Sequence, residues 1–412
     1  MIQYNRHTLN NGLKILVHED ASTPMAVVNI MYNVGAKDED ANKTGFAHLF
    51  EHLMFGGSIN IPSYDEPLQR AGGENNAYTT NDLTNYYCVL PAKNIETAFW
   101  LESDRMLSLA FSKKSLDVQR KVVCEEFKEH YINKPYGDIW HKMRNLAYTT
   151  HPYKWMTIGK ELSHVENATI EDVKNFFFKF YRPNNAILVV AGNVATNNII
   201  QLAEKWFGNI SSGEKYERNL PIEPQQQQAK FLEIKADVPL DAIIKTWHID
   251  ARLTKGYYTA DLITEIFGGG NSSRLYQSLV KEKQLFSDIS CFHFGSIEPG
   301  LLTIEGKLTK GISMQKAEEA IQEELIKLTT EQVNNNELQK VKNRTESIIT
   351  FEDISIMSRA NNLALYELLG DAALINNELK KYQEITEADI LQYAQTIFDE
   401  KNSSTIHYYS KN

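Results

Sequence analysis

The chain has 412 residues, of which 42% are hydrophobic and 23% charged, and carries a formal net charge of −10. That length exceeds what one ordinary core needs and predicts two or more domains. The composition excludes a disordered, collagenous or disulfide-stapled class, and the acidic balance argues against nucleic-acid binding, which needs a basic face.

Three cysteines, Cys88, Cys124 and Cys291, form neither a disulfide framework nor a C-x-x-C metal pair and suit a reducing compartment. The first residues lack the basic start and apolar core of a signal peptide. No run approaches the ~20 apolar residues of a membrane span. A cytoplasmic chain is expected, or a periplasmic one if a leader was removed.

In chain order, residues 13–18 and 25–33 alternate and are β-branched, predicting two strands around the turn at Ser22-Thr23-Pro24. A helix is expected over 45–54, ending at Gly56-Gly57. A strand pair follows (77–80 and 86–90), then helices over 96–110, 114–134 and 170–181 and a strand over 186–191. The second half repeats this order, with strands at 231–236 and 242–249 and a helix over 258–266 that stops at Gly268-Gly269-Gly270. Thr386-Glu387-Ala388-Asp389 echoes Thr169-Ile170-Glu171-Asp172, each opening a helix before a last strand. Aligning Phe55-Gly56-Gly57 on Phe267-Gly268-Gly269 gives an offset of 212 residues, about half the chain. The expected fold is therefore α+β, built from two tandem homologous modules, each a mainly antiparallel sheet flanked by helices. Residues 1–212 form the first module and 230–412 the second. The polar, glutamine-rich stretch 213–229 is the linker.

His48-Leu49-Phe50-Glu51-His52 carries the strongest chemical signal. Histidines at i and i+4 project from one helix face, so both imidazoles can reach one ion. Zn²⁺ suits two imidazoles and one carboxylate with a fourth position left for water. Glu51, beside them, can act as general base on a water that the ion activates. Phe46, Ala47, Leu49, Phe50, Leu53 and Phe55 make this helix a buried one, where two histidines and a glutamate demand a partner. The third ligand comes from elsewhere. Around Cys124-Glu125-Glu126-Phe127-Lys128-Glu129-His130, Glu125, Glu126, Glu129 and His130 all compete on spacing.

The H-x-x-E-H order is the mark of the inverzincins, and the surrounding text resembles the pitrilysin (M16) peptidase family, particularly its short bacterial members related to the mitochondrial processing peptidase. The resemblance covers most of the chain. It runs through Gly45–Ser58, Gly72–Thr79, Gln119–Glu126, His151-Pro152-Tyr153, Tyr181–Asn185 and Gly268–Tyr276. It implies one zinc per chain held by His48, His52 and Glu126, with Glu129 as second choice, and Glu51 as base. It also implies peptide binding as a strand added along Asn76, Ala77, Tyr78 and Thr79. The family usually has a second glutamate seven residues before its ligand; here Gln119 stands there, which predicts somewhat weaker zinc binding. Two such modules form half of a clamshell chamber in the family.

Opposite His48, Glu51 and His52 in the repeat stand Ala260, Ile263 and Thr264, so the second module has no metal chemistry. The family's second half usually supplies an arginine and a tyrosine to the site; Val280 and Ser287 replace them. Lys281 and Arg274 are nearby cations, for which an exposed helical role is expected. The resemblance therefore implies a zinc-dependent endopeptidase acting as the zinc-bearing subunit of a heterodimer, whose related metal-free partner supplies the arginine and tyrosine. A homodimer is the other arrangement, and a catalytically silent structural subunit the rival function. Gly268-Gly269-Gly270-Asn271-Ser272-Ser273-Arg274 lacks the G-x-x-x-x-G-K-[ST] pattern of a phosphate loop and reads as a helix end followed by a loop.

Overall fold

The computed structural model describes residues 1–411. It holds two sheets. The first comprises β1 (Asn5–Thr8), β2 (Lys14–Glu19), β3 (Met25–Tyr32), β4 (Glu74–Thr79), β5 (Thr84–Pro91) and β6 (Ala186–Gly192) in the order β1-β2-β6-β3-β5-β4. The second comprises β7 (Lys230–Ala236), β8 (Ala242–His248), β9 (Phe286–His293), β10 (Leu301–Leu308) and β11 (Ser403–Ser410) in the order β7-β11-β8-β10-β9. In each, one parallel pair (β2 with β6, β7 with β11) adjoins antiparallel ones. Apart from the extra strand β1 the two orders coincide, and the fold is α+β.

Smaller details repeat as well. Thr169 and Thr386 each open a helix with a reciprocal capping box to Asp172 and Asp389, satisfying backbone donors at the helix start. Lys43 pairs with Asp172 at 2.5 Å, and Lys255 with Asp389 at 2.6 Å. The Asn185 amide donates to the Phe180 carbonyl and the Asn402 amide to that of Ile397, both at 2.9 Å.

The chain divides into two compact units: Met1–His130 with Trp155–Leu220 and Thr350–Asn377, and Tyr131–Lys154 with Pro221–Ile349 and the chain from Glu378 on. In the first unit, the helix Ile356–Leu368 buries Ala360, Leu363 and Ala364 against Leu16, Val27, Val189 and Ala191 of the sheet. Its Asn361 carbonyl oxygen accepts from the side-chain amides of Asn29 and Asn85, giving buried polar groups of the sheet a partner. In the second unit, the helix Ile139–Ala147 buries Ile139 and Met143 against Ala242, Ile244, Ile406 and Tyr408. Each unit thus takes one covering helix from the other half of the sequence. The segment 221–227 is tied down within the second unit. Glu223 accepts from the backbone of Thr149, Thr150 and His151, and the Gln226 amide donates to the carbonyls of Lys401 and Ser403.

Helix boundaries differ from expectation, and the helix expected over 258–266 runs Lys255–Gly268. The helix expected over 96–110 ends at Leu107 (α3 below), and the one expected over 114–134 runs as α-helix only to Phe127 and continues as a π-turn over Lys128–Ile132. Periodicity does not distinguish a widened final turn from a regular one.

Candidate metal centre

Helix α1 (Phe46–Leu53) begins at Gly45, whose φ of +85° falls in the left-handed region; a Cβ there would lie 2.7 Å from the Ile158 carbonyl oxygen. The N-terminal N–H groups of such a helix need acceptors. The buried Glu39 carboxylate takes two of them, from Gly45 at 2.9 Å and Ala47 at 2.8 Å. Burial pushes the Glu39 carboxyl up to about 8, against the Ala47 and Gly45 donors that favour the anion. Phe46, Ala47, Leu49, Phe50 and Leu53 form the buried face, with the Phe50 ring stacked on Tyr181 at 5.1 Å. This leaves His48, Glu51 and His52 half-buried on the other face.

The exit of α1 is fixed by α3 (Ile95–Leu107), which follows α2 (Asp65–Arg70). Asp104 of α3 accepts from the Ser58 hydroxyl at 2.5 Å, the Asn60 backbone at 3.0 Å and the Asn60 amide at 2.6 Å. Beside it, the fully buried Arg105 holds Glu102 through two bonds of 2.8 and 2.6 Å and lies over the rings of Tyr64 and Tyr86. Neither arrangement was read from the sequence. The cue was available: Glu102, Asp104 and Arg105 are charged residues in a helix whose neighbours are largely buried.

Helix α4 (Lys113–Phe127), started by the Ser112 hydroxyl accepting from Ser115, presents Glu126 in its last turn. One Glu126 oxygen lies 3.7 Å from His48 Nε2 and 3.5 Å from His52 Nε2. These separations are too long for good hydrogen bonds. They are close to the ~3.3 Å edge expected between ligand atoms held tetrahedrally about 2 Å from one zinc ion. The three donor atoms lie within 4.8 Å of one another, and this is the one such cluster of three among the described residues. Burial, then the neighbouring His52, lowers the His48 pKa to about 4, so its imidazole is neutral at pH 7, as metal ligation requires. The donor set and its spacing fit a zinc ion.

Of the competing residues, Glu125 pairs instead with Lys128 at 2.8 Å, while Glu129 and His130 fall in the exposed π-turn. Gln119 lies two turns before Glu126 on α4. Asn76, Ala77, Tyr78 and Thr79 lie on β4, which pairs with β5 on one side and forms the edge of its sheet. The Ala77 N–H bonds the Asn76 side-chain oxygen at 2.8 Å, so it is not engaged in the β5 ladder. The Thr79 hydroxyl reaches Glu51 at 2.7 Å. Burial raises the Glu51 pKa above the usual carboxylate range, opposed by the Thr79 hydroxyl and by His52.

In the second unit Ala260, Ile263 and Thr264 are buried on the helix Lys255–Gly268, packed as core. That helix reaches Gly268, where a Cβ would come within 2.0 Å of the Cys291 backbone; the glycine permits close helix–strand approach. Arg274 makes a bidentate pair with Glu337 at 2.9 and 2.7 Å. Lys281 is exposed, with its amine near the Tyr276 ring. Val280 packs against the core, and the Ser287 hydroxyl donates to the Lys307 carbonyl.

Residues 14–153 match the family Insulinase (Peptidase family M16), and residues 167–345 match Peptidase M16 inactive domain. Between them the two matches span most of the chain. The chain belongs to the M16 peptidase family. Among its M16 relatives is zinc protease PqqE of Helicobacter pylori, 29% identical over 97% of this chain and 91% of the relative. The mitochondrial-processing peptidase subunit beta of Saccharomyces cerevisiae is 27% identical over 50% of this chain and 45% of its own length. The crystal structure of a protease from Helicobacter pylori superposes with a TM-score of 0.92 at 26% identity, covering 99% of this chain and 100% of that one. No helix among the described residues is long and apolar enough to cross a membrane.

Proposed function

We propose that this M16 protein is a zinc-dependent endopeptidase, with one zinc held by His48, His52 and Glu126 and with Glu51 as general base. The observation that carries the reading is the convergence of two histidine Nε2 atoms and one Glu126 oxygen at near-tetrahedral separations beside a partly buried glutamate. Zinc, when bound, supplies Lewis acidity towards a scissile carbonyl and an attacking water. Glu51 removes the proton from the water and returns it to the departing amine, a role that its raised pKa suits. The edge strand β4 offers Asn76, Ala77, Tyr78 and Thr79 for backbone pairing with an extended peptide, which explains tolerance of many sequences. Gln119, two turns from Glu126, takes the place of a charge that would have strengthened zinc binding.

On this reading residues 1–212 are the zinc-bearing module and 230–412 the metal-free one, joined by 213–229. At the two positions where the resemblance places an arginine and a tyrosine, the second module has Val280 and Ser287, and the nearby Arg274 is committed to Glu337. We infer a heterodimer with a related metal-free subunit that contributes both. The family name of the yeast relative, a beta subunit, supports pairing. Three unpaired, buried cysteines favour a reducing compartment, hence the cytoplasm.

The test is zinc content and hydrolysis of a quenched peptide library, for wild type, Glu51→Gln and His48→Ala, with and without a metal-free M16 subunit. Stoichiometric zinc in wild type and Glu51→Gln, loss of zinc in His48→Ala, and a kcat lowered about 10²–10⁴-fold by Glu51→Gln are expected. Zinc without cleavage under every pairing would instead establish a structural subunit. Full activity of the isolated chain would refute the heterodimer.

A further inference from the structure

Thr79 closes β4, and both its backbone N–H and its hydroxyl act on the Glu51 carboxylate. The free edge of β4 is marked by the Ala77 N–H, which bonds the Asn76 side chain instead of β5. Backbone donors alternate along a strand, so Thr79, two residues on, directs its N–H to the same free edge. Its side chain shares a face with that of Ala77, the half-buried one of the alternating pattern. There the hydroxyl lies 2.7 Å from Glu51 Oε2 and 3.5 Å from the Ala47 carbonyl. A hydroxyl has one proton to donate, and the shorter contact takes it. With the Thr79 backbone N–H facing the same carboxylate, this residue holds the orientation of Glu51.

We propose that Thr79 is a positioning residue: its hydroxyl orients the base Glu51, and because it sits on the strand to which peptide adds, it couples strand docking to alignment of the base. This rests on the endopeptidase reading for its kinetic consequence, but the hydrogen bond itself does not. A valine at 79 keeps the β-branched shape that a strand favours and removes only the hydroxyl donor. A serine keeps the donor.

The experiment compares wild type, Thr79→Val and Thr79→Ser in the zinc-loaded full chain, paired as activity requires, on a quenched peptide. Thr79→Val is expected to lower kcat about 10–100-fold with KM changed less than about twofold, as misplaced catalytic groups do. Thr79→Ser is expected to restore kcat to within about threefold, with zinc content equal in all three. A rise in KM with kcat unchanged, or no effect, overturns the proposal and leaves Thr79 a strand contact only. A second measurement is independent of turnover: a thermal-unfolding double-mutant cycle of Thr79→Val with Glu51→Ala, which removes the acceptor, in the metal-free chain. Non-additive shifts in Tm support the coupling even where wild type cleaves nothing, which would count against the endopeptidase reading alone. Additive shifts overturn the coupling.

Discussion

Glu39 lies nine residues before the first histidine of H-x-x-E-H and supports the candidate metal centre from outside its cluster of donor atoms. Its buried carboxylate supplies acceptors to the first N–H groups of an eight-residue helix that would otherwise start unpaired. Glu39→Ala leaves two buried donors unsatisfied, and an unfolding free energy lower by about 1–3 kcal/mol is expected from denaturant titration. A change smaller than about 0.5 kcal/mol would show that water replaces the carboxylate fully. The pH dependence has a defined sign. Burial raises the folded pKa of Glu39 from 4.5 to about 8, so its contribution is fully present below about 4.5 and falls as pH rises through 8. The alanine variant should therefore show a flatter stability profile across that window. This role was not legible in the sequence, because a cap six and eight residues upstream has no fixed spacing to recognise.

At the scale of elements, β4 has to be an edge strand and yet resist indiscriminate pairing. The Asn76 side chain bonds the outward Ala77 N–H, so that donor is satisfied; on the proposed function an added peptide strand would displace it. Ala77→Pro removes this outward donor while sparing the ladder to β5, and proline is tolerated on edge strands. A KM raised about tenfold or more with zinc content unchanged is the expected outcome in peptide kinetics. An unchanged KM would mean that substrate does not pair there. The peptide-binding role proposed for β4 comes from family resemblance alone, and the structure adds that β4 is the edge of its sheet. Alternation in Glu74–Thr79 predicts a strand but is equally compatible with a central or an edge position, which depends on which neighbours the chain brings to it. Likewise, α4 was legible as a helix, but the choice of Glu126 over Glu125 depends on the rotational setting of α4 against α1.

At the scale of the whole molecule, the glutamine-rich stretch behaves differently from a free linker. Glu223 accepts hydrogen bonds from the Thr149 hydroxyl and three successive backbone N–H groups. Burial pushes its carboxyl up, but the donors on Thr149, His151 and Thr150 outweigh this and bring it from 4.5 down to about 2. For a depressed carboxyl, the stability it contributes is present above the unfolded value and lost as pH falls through the folded one. Wild type should therefore lose stability between about pH 4.5 and 2, and Glu223→Gln should lose part of that dependence. Parallel thermal melts across that range check it; superimposable pH profiles would show that the strap carries no net stabilisation.

The sequence by itself determined the α+β class, the duplication, the helix with His48, Glu51 and His52 on one face, and the replacement of those residues by Ala260, Ile263 and Thr264 in the repeat. These follow from patterns local to one helix or repeated along the chain, where spacing alone fixes which side chains share a face. Only the tertiary structure decided that Glu126 meets the histidines, that Thr79 holds Glu51, that Glu39 caps α1, and that each sheet takes a covering helix from the other half of the sequence. Those pairings join residues tens to hundreds of positions apart, and no periodicity encodes which distant surfaces bury each other. They are settled by packing of buried faces and by the need of every buried polar group for a partner.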